Sequence, residues 1–474
     1  MADASDPHAT AQVVPGERSA ISRPERIGCD GLCYGFRVSE LKSIARRIFS
    51  ETLAAIDIPR TMRAALRREG TRIHACGQTL DLAAFEKIRV VAFGKASFAM
   101  VQGLTETLGP EFAVEGVLSI PSAPLRALPG VRIFVGGHPV PNEDSFAAGR
   151  AILDLLAGCD EKTLVFFLLS GGGSALVEQP LDASVTLDDM RTLNRVLVTC
   201  GAPIDEINAV RKHVSAMKGG RLAAAAPRSM KITLGISDVP VGRESALASG
   251  PTIPDPTTCD DAYGVVERYR LLEKLPGSLR PAFAGRALRE TPKDGDAAFA
   301  HSYFEILLGM THLFEHAQRI AEAAGFRAVC DNSTDDWPIE RAADLLLAKL
   351  EEQRRAFPGQ PVAVIADGEV SSPVTGNGVG GRNSAFALHC VEKIAGRGIA
   401  VLSAGTDGVD GNSPGAGAVA DGETLARARA AKLDAADFFR RSDAYTFFKS
   451  LGDSIDTGPT GNNLRDLRIL LQVD

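Results

Sequence analysis

The chain has 474 residues, a net charge of −7 and 45% hydrophobic residues. That length exceeds one ordinary core and predicts two domains. The acidic balance argues against nucleic acid or an acidic membrane surface as partner, and no uninterrupted apolar run approaches the roughly 20 residues that span a bilayer.

In chain order, residues 1–38 read as a flexible tail, because MADASDPHATAQVVPGERSAISRPER has no apolar signal core. The expected compartment is the cytoplasm. The eight cysteines suit it as reduced thiols, since only Cys29 and Cys33 lie close together. SELKSIARRIFSETLAAI carries apolar residues at helical spacing, with Ser39 placed as N-cap. IRVVAFGKASFAM then reads as strand, glycine turn and helix. EGVLSI, VRIFVGGHPVPNEDS, the helix AAGRAILDLLAG and the strand leading into VFFLLSGGGSAL continue the alternation. Strands alternating with helices predict a Rossmann-like, mainly parallel sheet flanked by helices, with ligands gathered at the carboxyl ends of its strands. Lys95, His138 and the run Ser170, Gly171, Gly172, Gly173, Ser174 all fall there.

A helical region from Thr186 to Ala226 is broken by a turn at Gly201 to Pro203, and KITLGISDVP supplies another strand. The mixed composition after Asp255 places the domain change, giving a first domain over 39–285 and a second, smaller α/β domain over 286–474. HLFEHAQRIAEAAG and ERAADLLLAKLEEQRRA are its amphipathic helices; PVAVIADGEV, RGIAVLSAGTDGVDG and RDLRILLQV are its strands.

Most familiar ligand motifs fail on inspection. Around Lys95 a Walker loop would need glycine at Arg89 and Ser or Thr at Ala96. A dinucleotide fingerprint forced onto Gly94, Ala96 and Ala99 has alanine in two glycine places, and the next strand runs into Pro121 without the acid that grips a ribose. A nucleophile elbow at Ser174 fails at Leu176. HLFEH, His312 to His316, matches a zinc pattern without a third ligand and reads as a solvated helix face. What remains is a glycine loop whose amides and hydroxyls suit an anion, with charged groups at other strand ends. AVRKHVSAMKGGR sets Arg211, Lys218 and Arg221 near one helical side. GVGGRNS puts Arg382 after flexible glycines, where a guanidinium can grip carboxylate or phosphate. Asp407 and Asp410 in SAGTDGVDG suit Mg²⁺, and Asp238 in GISDVP is a further strand-end acid. A lysine, an arginine, several acids and glycine loops fit phosphoryl transfer, in which positioning and charge neutralisation supply most of the catalysis.

AFGKAS, GGHPVPNE, SGGGSAL, VRKHVSAMKGGRLA, SDVP…ASGPTIPDPTT, GGRN, SAGTDGVDG and TGPTGNNLRDLRILL occur in this order between Ser39 and Leu471. Together they resemble the glycerate 2-kinase family, the two-domain type with a carboxy-terminal MOFRL domain. The resemblance implies ATP- and Mg²⁺-dependent phosphorylation of the 2-hydroxyl of D-glycerate in a cleft between the domains, by an enzyme expected as a homodimer. It implies Lys95 and Arg382 as catalytic groups and Ser170 to Ser174 as a cradle, with Arg211, Lys218 and Asn383 as further substrate or phosphate contacts. Asp238 or Asp407 would orient the hydroxyl or hold metal, with Asp410 as a second metal ligand. The chain departs from the family at Val241 to Glu244, at Ser384 and Ala385 after GGRN, and at Gly309 to His312. These departures bear on which hydroxy acid is used more than on the reaction class. A related 2-hydroxy or sugar acid as acceptor, hydroxypyruvate reduction with a nicotinamide cofactor, and a metabolite sensor are the alternatives.

Overall fold

The computed structural model describes residues 40–473, apart from 125, 238, 240, 241, 462 and 463 and the side chain of Met310. Asp238, Ser39, Cys29 and Cys33 therefore lie outside the described residues. A small antiparallel sheet, β1 (Arg67–Glu69), β2 (Arg72–Ala75) and β3 (Gln78–Asp81), precedes two six-stranded ones.

The first large sheet comprises β4 (Lys87–Phe93), β5 (Val114–Ile120), β6 (Val131–Val135), β7 (Thr163–Ser170), β8 (Met230–Ile236) and β9 (Ser302–Leu308). It runs β6-β5-β4-β7-β8-β9, and every pairing is parallel. β7 is buried along its whole length, which is why TLVFFLLS is apolar at consecutive rather than alternate positions. Val165, Phe167 and Leu169 pack on one face with helix Glu143–Ala157. Leu164, Phe166 and Leu168 pack on the other with helix Ser97–Leu108. This is the doubly covered parallel sheet that the alternating pattern predicts.

The second sheet comprises β10 (Arg327–Asp331), β11 (Val362–Asp367), β12 (Ile399–Gly405), β13 (Gly417–Asp421), β14 (Ser454–Ile455) and β15 (Asp466–Gln472), in the order β10-β11-β15-β12-β13-β14. It is mixed: the last strand inserts antiparallel between β11 and β12. The carboxyl ends of β11 and β12 thus meet the amino end of β15, which puts charged residues from three chain segments side by side.

The chain crosses between the sheets differently from the expected break near 285. β9 lies beyond that point yet completes the edge of the first sheet. At the other end, helix Leu41–Ala55, assigned by position to the first domain, packs on the second sheet. Its Leu41, Ile44, Ala45, Ile48 and Phe49 join Ala400, Leu402, Ile469 and Leu471 in one apolar cluster that continues to Leu164 and Phe166. Polar ties hold it there: Lys42 Nζ reaches Asp453 at 3.1 Å and Asp421 at 3.4 Å, and Arg46 donates to the Ser454 carbonyl. A helical stripe declares which face is buried but not against which sheet. Glu40 takes the N-cap place of this helix without a side-chain cap.

Candidate active site

The site is built where the loops after β4 and β7 cross. Gly94 follows β4 at φ +127°, and a Cβ there would sit 2.1 Å from Ser170 Oγ; only glycine lets the strands' ends approach so closely. Lys95 N–H then donates to the Gly171 carbonyl at 3.0 Å, and Ala96 N–H donates to Ser170 Oγ at 3.0 Å. The last two members of the triple glycine have a structural reason to lack a side chain. Gly171 receives Lys95, Gly172 is left-handed at φ +83°, and a Cβ on Gly173 would meet Ala248 and Phe93 at 2.9 Å. The buried Ser170 is part of this brace, while Ser174 Oγ contacts Ser249 Oγ at 2.8 Å.

Ser249 belongs to a turn that the sequence does not announce. Ala248, Ser249 and Gly250 have φ of +49°, +62° and +60°, a conformation that costs non-glycine residues of order 1–3 kcal/mol each and persists only where the surroundings enforce it. The enforcement comes from the MKGG segment, whose Gly219 and Gly220 N–H groups donate to the Ser249 and Gly250 carbonyls. Two motifs distant from the glycine loop in sequence thus buttress it.

Lys95 reaches out of the first sheet. Its Nζ lies 2.9 Å from Asp407 Oδ2, just beyond β12 in the second sheet. This pair stands at a cleft of about 820 Å³ whose lining includes Lys95, Asp407, Arg382, Asn383 and Asn412. Arg382 opens helix Arg382–Lys393. Its Nε donates to Asp466 Oδ2 at 2.5 Å and an Nη to Glu369 Oε2 at 2.8 Å. Burial pulls its pKa down, but these two carboxylates outweigh that and hold it above the ordinary arginine value, so the guanidinium is charged and fixed in orientation.

Several expected roles change. Asp410, expected as a metal ligand, is buried, with both oxygens turned to the amino end of helix Arg382–Lys393: Oδ1 accepts from Asn383 N–H at 2.9 Å, and Oδ2 from Ser384 N–H and Oγ at 2.8 and 2.6 Å. Burial holds its pKa above the ordinary carboxylate value, and these bonds offset that only in part. It lines the cleft, yet both oxygens are engaged in capping the helix that carries Arg382. Asn383, expected at the substrate, lines the cleft but commits its Oδ1 to Ser403 Oγ at 2.6 Å.

Arg211, Lys218 and Arg221 do not share a helix face, because the helix ends at Val214. Lys218 forms a buried pair with Glu178 at 2.5 Å, and Arg221 donates to the Arg289 carbonyl. Arg211 is held through Nε by Asn194 Oδ1 at 2.9 Å, and burial lowers its pKa. His312, in the HLFEH stretch, uses Nδ1 to accept from Gly309 N–H and cap its own helix.

Glu369 and Glu178 lie outside the quoted motifs, and Asp466 falls within TGPTGNNLRDLRILL, where nothing local distinguishes it. The strand-end rule that selects Asp407 would also have selected Glu369 after β11, whereas Asp466 and Glu178 reach Arg382 and Lys218 from 84 and 40 positions away. Among the described residues the side-chain cluster of metal-binding type is His213, Cys259 and Glu290, outside the cleft lining.

The fold and site define a class, a two-sheet α/β protein carrying an oriented lysine and arginine at one cleft. A family described as a domain of unknown function (DUF4147) matches residues 44–284, and the MOFRL family matches 362–466. The chain is 33% identical over 441 residues to the D-glycerate 2-kinase of Thermotoga maritima, covering 92% of this chain and all of that one. A crystal structure of glycerate kinase from the same organism superposes with a TM-score of 0.78 at 32% identity, over 92% of this chain and all of that one. An Agrobacterium vitis protein named "putative hydroxypyruvate reductase" is 36% identical over 389 residues, covering 81% of this chain and 86% of that one. The chain belongs to the glycerate 2-kinase family. No helix among the described residues is long and apolar enough to cross a membrane.

Proposed function

We propose that the protein transfers the γ-phosphoryl group of ATP to the 2-hydroxyl of D-glycerate, with Mg²⁺, in the cytoplasm and as a homodimer. The observation that carries this reading is the Lys95–Asp407 ion pair joining the glycine loop of one sheet to a cleft lined by Arg382 of the other. Lys95 neutralises charge on the transferring group, and its location beside both elements suits a group passing between two substrates. Arg382 grips anionic oxygens with a fork oriented by Asp466 and Glu369. Arg211 adds positive charge near Glu178, which already balances Lys218. Asp407 is a partly exposed carboxylate on the cleft, which suits a cation that takes one or two carboxylates together with phosphate oxygens. When bound, Mg²⁺ would neutralise the phosphate charge there.

The test is a coupled ATP-to-ADP assay with D-glycerate, with ³¹P NMR to identify the phosphorylated carbon. Formation of 2-phosphoglycerate is expected. Turnover only on another hydroxy acid would move the acceptor assignment and leave the reaction class. Hydroxypyruvate reduction is the competing reading, carried by the name of the A. vitis relative. Titration with NADH separates the two, since tight, specific quenching or enhancement of its fluorescence would favour the reductase.

A further inference from the structure

A hydroxyl that attacks phosphorus must lose its proton, so some group near Lys95 has to offer a lone pair. Most neighbours are already committed. Asp407 pairs with Lys95 through Oδ2, accepts the Val409 N–H at 3.0 Å through Oδ1, and is the carboxylate assigned above to the cation. Ser170 accepts from Ala96 N–H, Ser174 is paired with Ser249, and Arg382 has no lone pair to give.

His138 is different. Its imidazole closes over the glycine loop so tightly that a Cβ built on Gly172 would lie 3.0 Å from Cδ2 and 3.1 Å from Nε2, with Lys95 Cγ 3.5 Å away on the same glycine. The residue reaches solvent while the glycine loop screens part of its ring, and neither ring nitrogen hydrogen-bonds to a described residue. The segment that carries it is anchored on both sides. Gly137 N–H donates to Ser145 Oγ at 2.9 Å, and Asn142 Nδ2 donates to the Val135 carbonyl at 3.0 Å while its Oδ1 caps helix Glu143–Ala157. The charged groups that act on the ring are Lys95 and Asp407. Partial burial and Lys95 lower its pKa and Asp407 partly offsets them, which leaves a neutral imidazole at neutral pH.

We infer that His138 is the general base of the transfer, resting on the kinase reading above: it takes the proton of the acceptor hydroxyl as the phosphoryl group arrives beside Lys95. The hydroxyl oxygen forms the new bond to phosphorus. The bond from phosphorus to the bridging oxygen breaks, and its electron pair leaves on ADP. The proton passes to an imidazole nitrogen, and the imidazolium returns it to water. Lys95 lines the cleft and also reaches Gly172 beside His138, so the donor and acceptor would meet at the lysine.

The experiment compares wild type, His138→Gln and His138→Ala for kcat and KM on ATP and D-glycerate, with thermal melts to verify folding and added imidazole to restore the missing base. General base catalysis contributes on the order of 10²–10⁴-fold. The expected result is a fall in kcat of about 10²-fold or more in both variants, little change in either KM, and recovery of about tenfold by imidazole in His138→Ala. A folded His138→Gln with wild-type kcat, a loss confined to KM, or a loss in His138→Ala that imidazole leaves untouched would overturn the assignment. If wild type itself forms no 2-phosphoglycerate, the kinase reading falls and His138 with it; an active wild type beside an equally active variant removes His138 alone.

Discussion

The two large sheets contribute to the site in opposite ways. The first is wholly parallel, and its strand ends supply shape: Gly94, Gly172 and Gly173 hold backbones within reach of one another, and the strained Ala248–Ser249 turn presses against them. The second is mixed, and its strand ends supply charge: Glu369, Arg382, Asp407 and Asp466 converge because β15 runs against β11 and β12. A parallel sheet gathers carboxyl-end loops with unpaired backbone groups, which suits close approach to a ligand. An antiparallel insertion brings the start of one strand to the ends of two others, so acids and arginines from distant segments become neighbours. Lys95 is the group from the shape-giving sheet that forms an ion pair across to the charge-giving one.

Breaking that bridge should have the largest effect. Lys95→Ala is expected to lower kcat by about 10³-fold with a smaller change in substrate affinity, because its charge matters most when the phosphoryl group is in flight; steady-state kinetics beside calorimetric binding checks this. Within the charged sheet, Arg382→Lys should lower kcat/KM by about 10²-fold at unchanged folding, since one ammonium cannot reproduce a fork held by Asp466 and Glu369. An equal rate in the lysine variant would mean that only net charge is needed. Within the shape-giving sheet, Gly172→Ala should cost about tenfold in kcat/KM, because φ +83° and the approach of His138 both resist a Cβ.

A last effect, on stability and not on turnover, belongs to the charged sheet alone. Asp367, at the end of β11, is fully buried with neither carboxylate oxygen hydrogen-bonded, and burial pushes its pKa up from 3.8 to about 7. An acid raised in the folded state binds more protons folded than unfolded between those values, so this group removes stability as pH rises from about 4 to about 7 and leaves the full penalty above that. Asp367→Asn should therefore add about 2–4 kcal/mol at pH 8 and little at pH 4. Denaturant titrations at the two pH values measure this, and an equal gain at both would show that protonation is not the cause.

Much of the fold was legible in local pattern. The continuous apolar run of β7, the glycine turn after β4 and the stripe of helix Leu41–Ala55 each declare an element and its buried face, because period and turn chemistry are local properties. Lys95 and Asp407 were legible as groups just beyond strands, and Arg382 as the residue after a glycine run, where it opens a helix. Asp410 looked equivalent to Asp407 on the same loop, yet three residues on its carboxylate turns inward to cap a helix. Lys218 looked like a free cation and is paired with Glu178, 40 residues away.

What the sequence by itself determined is the alternation of strands and helices, the glycine loops and the residue types at their tips, since each follows from backbone preference and hydrophobic period over a few residues. What only the tertiary structure decided is which charges are neighbours: Lys95 with Asp407 across 312 positions, Arg382 with Asp466 across 84, and Leu41–Ala55 beneath the sheet formed by the other end of the chain. Those pairings depend on strand order and on which apolar face meets which, and neither is recorded in any short stretch of residues.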